Sequence, residues 1–126
     1  MSAHPWLEYK NWAVVGASQD SNRYGYKIHR KLEKKGYNAI PVTPKYKDIE
    51  GTVTYPSLLD IDQKIDVVNF VVNPQIGMKV LDECIQLGIK RIWLQPGTQS
   101  ERLIQRAEDN GIEVVDACIL VVLSWV

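Results

Sequence analysis

The sequence predicts an α/β fold: three layers, with a doubly wound parallel sheet of about five strands. Three observations carry that prediction. Short apolar runs alternate with longer segments of helical period along the chain, which is the pattern of βαβ units. The run from Asp66 to Val72 is almost continuous in Val and Phe, as suits a parallel strand covered on both faces. Gly36 and Gly88 fall where two helical patterns stop, the position at which a left-handed residue commonly ends a helix.

Each element follows in order. Pro5 to Lys10 predicts a short leading helix that packs Trp6 or Leu7 on the sheet. Trp12 to Val15 is the first strand. Tyr24 to Lys35 is the first long helix, with Tyr24, Ile28 and Leu32 at i, i+4 and i+8 facing the core. Asn38 to Val42 is the second strand. Asp48 to Tyr55 reads as a loop around Gly51, and Pro56 to Asp60 as a short helix. After the third strand, Pro74 suits the first turn of a helix whose apolar stripe is Ile76, Val80, Leu81, Cys84 and Ile85. Arg91 to Leu94 is the fourth strand. Ser100 to Asn110 is a helix with Leu103, Ile104 and Ala107 inward, and Ile112 to Val115 is the fifth strand. The apolar tail from Asp116 to Val126 lacks turn signals; it adds an element or covers a subunit interface. Right-handed crossovers then give the simplest strand order, 3-2-1-4-5, with ligands bound outside the strands' C-terminal ends between strands one and four.

A chain of 126 residues is expected to form one domain, residues 1–126, and to bury roughly two-thirds of the surface that its unfolded form exposes. Fifteen basic and fifteen acidic side chains cancel, so no global field draws the protein to nucleic acid or to an anionic membrane. Cys84 and Cys118 have neither disulfide-framework nor metal-ligand spacing. Met1 to Lys10 has no apolar signal core, and Ala117 to Leu123 is far shorter than the roughly 20 residues of a membrane span. The expected location is therefore the cytoplasm.

Function is expected in the residues that follow each strand. Gly16-Ala17-Ser18 follows the first: a tight turn, a close backbone approach and a hydroxyl before a helix, which suits an oxyanion or a plain structural turn. The full G-x-G-x-x-G is absent, and Gly25 comes too late to complete it. Arg23 flanks this turn. Pro41-Val-Thr-Pro-Lys45 follows the second strand, where an NAD-binding fold places an acid on the ribose hydroxyls. Lys45 suits a ribose phosphate or pyrophosphate instead, or is an exposed loop lysine. Asn73-Pro74 and Gln95-Pro-Gly97 follow the next two strands and are neutral. No Ser/His/Asp, Cys/His or metal-ligand arrangement falls at these ends. Asp116 and Cys118 are the reactive types nearest one, so no catalytic or metal-binding residue is expected.

Together these stretches resemble the stand-alone CoA-binding domain proteins, which are similar to the N-terminal domain of the succinate–CoA ligase alpha subunit. The resemblance runs from Tyr9 to about Leu123 and includes Gly36-Tyr37, Tyr55-Pro-Ser-Leu58, Trp93-Leu-Gln-Pro-Gly97 and Ala117-Cys118. It implies a Rossmann-like fold that binds coenzyme A or an acyl-CoA, with no catalytic domain. Gly16, Ala17 and Ser18 would meet the CoA phosphates with Arg23 beside them, and Lys45 the phosphorylated ribose or pyrophosphate. Val72, Asn73 and Pro74 would line the adenine or pantetheine path, and Gln95 and Gly97 would close the far side. Relatives often carry Ser-Tyr after the Arg, where this chain has Tyr24-Gly25-Tyr26. Two alternatives stay open: an NAD(P)-binding oxidoreductase or redox sensor, and an interaction subunit of an acyl-CoA enzyme. Partners other than the nucleotide would be a second copy or such an enzyme, met through Ile119 to Val126.

Overall fold

The computed structural model describes residues 4–125; Val126, the end of the apolar tail, lies outside them. Five parallel strands form the sheet: β1 (Asn11–Val15), β2 (Asn38–Val42), β5 (Val67–Phe70), β6 (Arg91–Leu94) and β7 (Glu113–Asp116). The intervening β3 (Asp48–Ile49) and β4 (Thr52–Val53) make a separate antiparallel hairpin. Four α-helices complete the layers: α1 (Tyr24–Lys34), α2 (Pro74–Leu87), α3 (Glu101–Asp109) and α4 (Ile119–Leu123). The leading segment Pro5–Glu8 and the stretch Leu58–Asp60 are single 3-10 turns.

The alternation along β1 sorts the core into two halves. Trp12 and Val14 point to one face, where Ile28 and Leu32 of α1 meet Ile119, Val122 and Leu123 of α4. Ala13 and Val15 point to the other, onto Val80, Leu81 and Cys84 of α2 and Leu103 and Ala107 of α3. This is the period of two expected for a strand covered on both faces. Trp6, Trp12 and Trp93 cluster edge-on or tilted within the first half, with centroids 5.7–6.0 Å apart. Each such side chain contributes about 1.5–3 kcal/mol by burial.

The strand order corrects the expectation. It is β2-β1-β5-β6-β7, which is 2-1-3-4-5 among the parallel strands rather than 3-2-1-4-5. Burial gives the reason. All four residues of β5 are buried, and they gain that cover only between two neighbouring strands. The more exposed β7 takes one edge, and β2, with Asn38 exposed, takes the other. The link from Thr43 to Asp66 has no long crossover helix, only the hairpin and a 3-10 turn. The switch point therefore lies between β1 and β5, not between the first and fourth strands.

Smaller differences have local causes. The expected loop from Asp48 to Tyr55 contains a hairpin, Asp48–Ile49 with Thr52–Val53, closed by Glu50 (φ 48°) and Gly51 (φ 88°), the two positive values of a type I′ turn. Tyr24, expected inward, is 65% exposed, and Gly25 takes the buried position instead. The apolar tail becomes α4, so Ile119, Val122 and Leu123 finish the domain's own core. None of the described helices is long and apolar enough to cross a membrane.

Candidate CoA site at the switch point

A cleft of about 670 Å³ opens outside the C-terminal ends of β1, β2 and β5, a usual size for a small-molecule site. Its first wall is the turn after β1. Gly16 has φ 98°, and a Cβ there would lie 2.4 Å from the Val71 carbonyl oxygen, so glycine alone fits. Its N–H donates to the Val42 carbonyl at 3.0 Å, tying the turn to β2. Ser18 uses its hydroxyl oxygen locally, accepting the Asp20 N–H at 3.0 Å.

The start of α1 is open. Arg23, at the N-cap, provides no side-chain cap, and the first-turn N–H groups of a helix have no partner within it. In contrast, Asn73 caps α2 through the Ile76 N–H at 2.9 Å, and Ser100 caps α3 through the Leu103 N–H at 3.1 Å. Unpaired N–H groups and the helix dipole together favour an anion at that end of α1. Gly25 sets the approach. A Cβ on it would lie 1.9 Å from the Gly16 carbonyl oxygen, so α1 begins hard against the turn. Gly25 thus allows the close helix–strand packing that the sequence pattern denied it.

The second wall is the loop after β2. Thr43 is buried, its N–H donates to the Tyr55 carbonyl at 2.9 Å, and its hydroxyl accepts the Lys45 N–H at 3.2 Å. The Lys45 side chain is exposed and lines the cleft. The third wall is α2 with the 3-10 turn. Glu83 lines it, and its Oε1 accepts the Ser57 hydroxyl and the Leu58 N–H, both at 3.1 Å.

Of the expected residues, Gly16, Ala17, Ser18, Arg23, Lys45, Val72 and Asn73 line this cleft. Pro74 opens α2 just behind Asn73 without lining it. Gln95 and Gly97 do not line it either. Gln95 is buried, donating to Asn69 Oδ1 at 2.9 Å and accepting the Ile119 N–H at 3.1 Å. It therefore braces β5 and the start of α4. Gly97, at φ 89°, serves the turn that follows β6.

Sequence reasoning missed Lys79 and Glu83, which line the cleft from α2. The signal was present: Asn73, Ile76, Lys79 and Glu83 recur at helical spacing from a strand end, beside the apolar stripe. Ile76, placed in that stripe by the sequence, is 47% exposed and faces the cleft.

The lining contains no histidine and no cysteine. Cys84 is buried among α2 and α3 side chains, which pushes its thiol well above the ordinary range, and Cys118 is half-buried. Among the described residues no three His, Cys, Asp or Glu side chains group as metal ligands. The chemistry on offer is anion recognition beside apolar walls. A glycine turn, an open helix end, Arg23 and two lysines suit a phosphorylated nucleotide, and Val72 and Ile76 suit its uncharged parts.

The comparisons with known proteins agree. A family model described as a CoA binding domain matches residues 10–124. An ADP-forming acetate–CoA ligase of Methanocaldococcus jannaschii is 37% identical over 64% of this chain, a match that covers only 12% of the ligase. An uncharacterized protein of Bacillus subtilis, YneT, is 31% identical over 89% of this chain and 84% of its own length. A hypothetical protein from Pyrococcus horikoshii superposes with a TM-score of 0.90 at 33% identity, covering 94% of this chain and 84% of that one. The family model and the acetate–CoA ligase match both point to coenzyme A as the cofactor, and the chain belongs to the CoA binding domain family.

Proposed function

We propose that the chain is a non-catalytic module that binds coenzyme A or an acyl-CoA in the cleft at the switch point. One observation carries the reading: the Gly16 turn, the N-cap residue of the uncapped α1 and Lys45 all line a single cleft. In this reading Gly16, Ala17 and Ser18 hold the diphosphate with Arg23 beside them. Lys45 meets the phosphorylated ribose, and Val72 and Asn73, with Pro74 behind them, border the adenine or pantetheine path. No acid occurs from Thr43 to Lys47 to hold a free ribose diol, which weighs against an NAD-dependent oxidoreductase.

The test is thermal stabilisation. CoA raises the melting temperature more than 3′-dephospho-CoA does, and Lys45→Ala narrows the gap. Equal stabilisation by both ligands would remove Lys45 from the 3′-phosphate. No shift with millimolar CoA, and no CoA or acyl-CoA mass retained in native mass spectrometry, would sink the reading.

The same proposal extends to location and partners. A cytosolic protein fits a CoA cofactor. Val121 and Trp125, 51% and 42% exposed at the C-terminal end, support docking of a second copy or an acyl-CoA enzyme there. Sedimentation of the wild type and of Val121→Asp separates a self-associating chain from a monomer.

A further inference from the structure

We infer that Lys79 is a specificity-determining residue, set to bind the 3′-phosphate of the nucleotide jointly with Lys45. The inference rests on the CoA reading above and starts from the charges in the cleft. Three cations line it: Arg23, Lys45 and Lys79. Arg23 already has a carboxylate, its Nε lying 3.8 Å from Asp20 Oδ2. Lys45 and Lys79 take part in no ion pair among the described residues.

The freedom of Lys79 has a structural cause. Glu83 stands at i+4 on the same helix and would be its ordinary partner. The hydrogen bonds of Glu83 run elsewhere, to Ser57 and Leu58 of the 3-10 turn. Moreover, Lys followed by Glu is the weaker order for an i, i+4 pair. The ammonium of Lys79 therefore makes no ion pair among the described residues, while the Glu83 carboxylate shares the cleft lining with it.

The charges match CoA group by group. Its diphosphate goes with the Gly16 turn, the open N–H groups of α1 and Arg23. A second anion, the 3′-phosphate, is then left, together with two unpaired lysines from different walls. Tyr46 and Ile76 also line the cleft and give a base an apolar surface. A lysine is a point charge with three donors on a flexible stem, so two of them suit a phosphate without fixed geometry.

Isothermal titration of CoA and 3′-dephospho-CoA against the wild type, Lys79→Ala and Lys79→Glu tests this. Lys79→Ala weakens CoA roughly tenfold, as loss of a charge-assisted hydrogen bond does, and changes 3′-dephospho-CoA by less than about twofold. Lys79→Glu weakens CoA further, again with little effect on the dephosphorylated ligand. Alanine is the best helix former and Lys79 is exposed, so the fold survives. Equal weakening of both ligands, or of neither, would overturn the role of Lys79. If the wild type binds neither ligand, the CoA reading itself falls.

Discussion

Glu83 on α2 holds Ser57 in place from across the cleft wall. Its Oε1 accepts the Ser57 hydroxyl and the Leu58 N–H, both at 3.1 Å. One carboxylate oxygen thereby fixes the turn that connects the hairpin to β5, and Leu58 is fully buried behind it.

The first prediction follows from that bond. Glu83→Ala strands the Leu58 N–H and the Ser57 hydroxyl, which costs about 1–3 kcal/mol of stability. Glu83→Gln keeps an acceptor oxygen and retains most of it. Urea denaturation read by tryptophan fluorescence checks both, and equal losses in the two variants would show that the hydrogen bonds are not what matters.

Gly25 offers a sharper contest between two effects. Helix propensity favours Gly25→Ala by about 1 kcal/mol. The added Cβ, however, would sit 1.9 Å from the Gly16 carbonyl oxygen and 3.1 Å from the Ala17 Cα. These are backbone atoms that cannot rotate away, so overpacking of about 1–3 kcal/mol or more wins. The variant melts lower than the wild type and loses CoA stabilisation out of proportion, because relief of the clash displaces the Gly16–Ser18 turn. A variant that melts higher would show that the turn yields freely.

Gly25 also shows what the sequence made legible. Gly16 to Ser18 and Lys45 stood out because strand ends are set by local apolar runs, and both line the cleft. The packing role of Gly25 depends on a contact across the turn, which spacing alone does not reveal. Strand order was hidden for a similar reason: the pairing of Trp12 with Val67 is long-range. The hint lay in Val67 to Phe70, too apolar for an edge. Two-residue strands such as Asp48–Ile49 are too short to show any period. Gln95 kept the expected place in the chain, but its amide turned inward to Asn69 and Ile119, a choice fixed by neighbours in three dimensions.

The two thiols should differ in reactivity. Burial is the main cause that raises the Cys84 thiol, and the nearby Glu83 charge adds to it. A thiolate is the reactive form, so Cys84 stays inert in the native protein while the half-buried Cys118 reacts. Ellman's reagent is expected to titrate one thiol per chain in buffer and both in urea. Two fast thiols in buffer would mean that α2 opens readily.

His29 predicts a pH dependence. It is fully buried on α1, and neither ring nitrogen has a hydrogen-bond partner. Glu33 Oε2 lies 3.5 Å from Nε2, but Glu33 also accepts from the Thr52 hydroxyl at 3.0 Å and pairs with Arg30 at 2.8 Å. Burial is the largest effect and holds the imidazole below its ordinary 6.5; Arg30 acts the same way, while Glu33, Glu50 of the hairpin and the Ala39 backbone oppose it. The unfolded chain therefore binds the proton more readily than the folded one. Stability is full above pH 6.5 and falls as pH drops from there toward the folded-state value, by at most about 1.4 kcal/mol per pH unit. His4, also lowered by burial, adds a contribution of the same sign. The difference between wild type and His29→Leu isolates the His29 share. Urea midpoints at pH 7.5 and 5.5 should drop less in the variant, and Leu removes two unpartnered buried nitrogens at no loss of volume. Parallel curves for the two proteins would mean that His29 takes its proton in the folded state as easily as in the unfolded one.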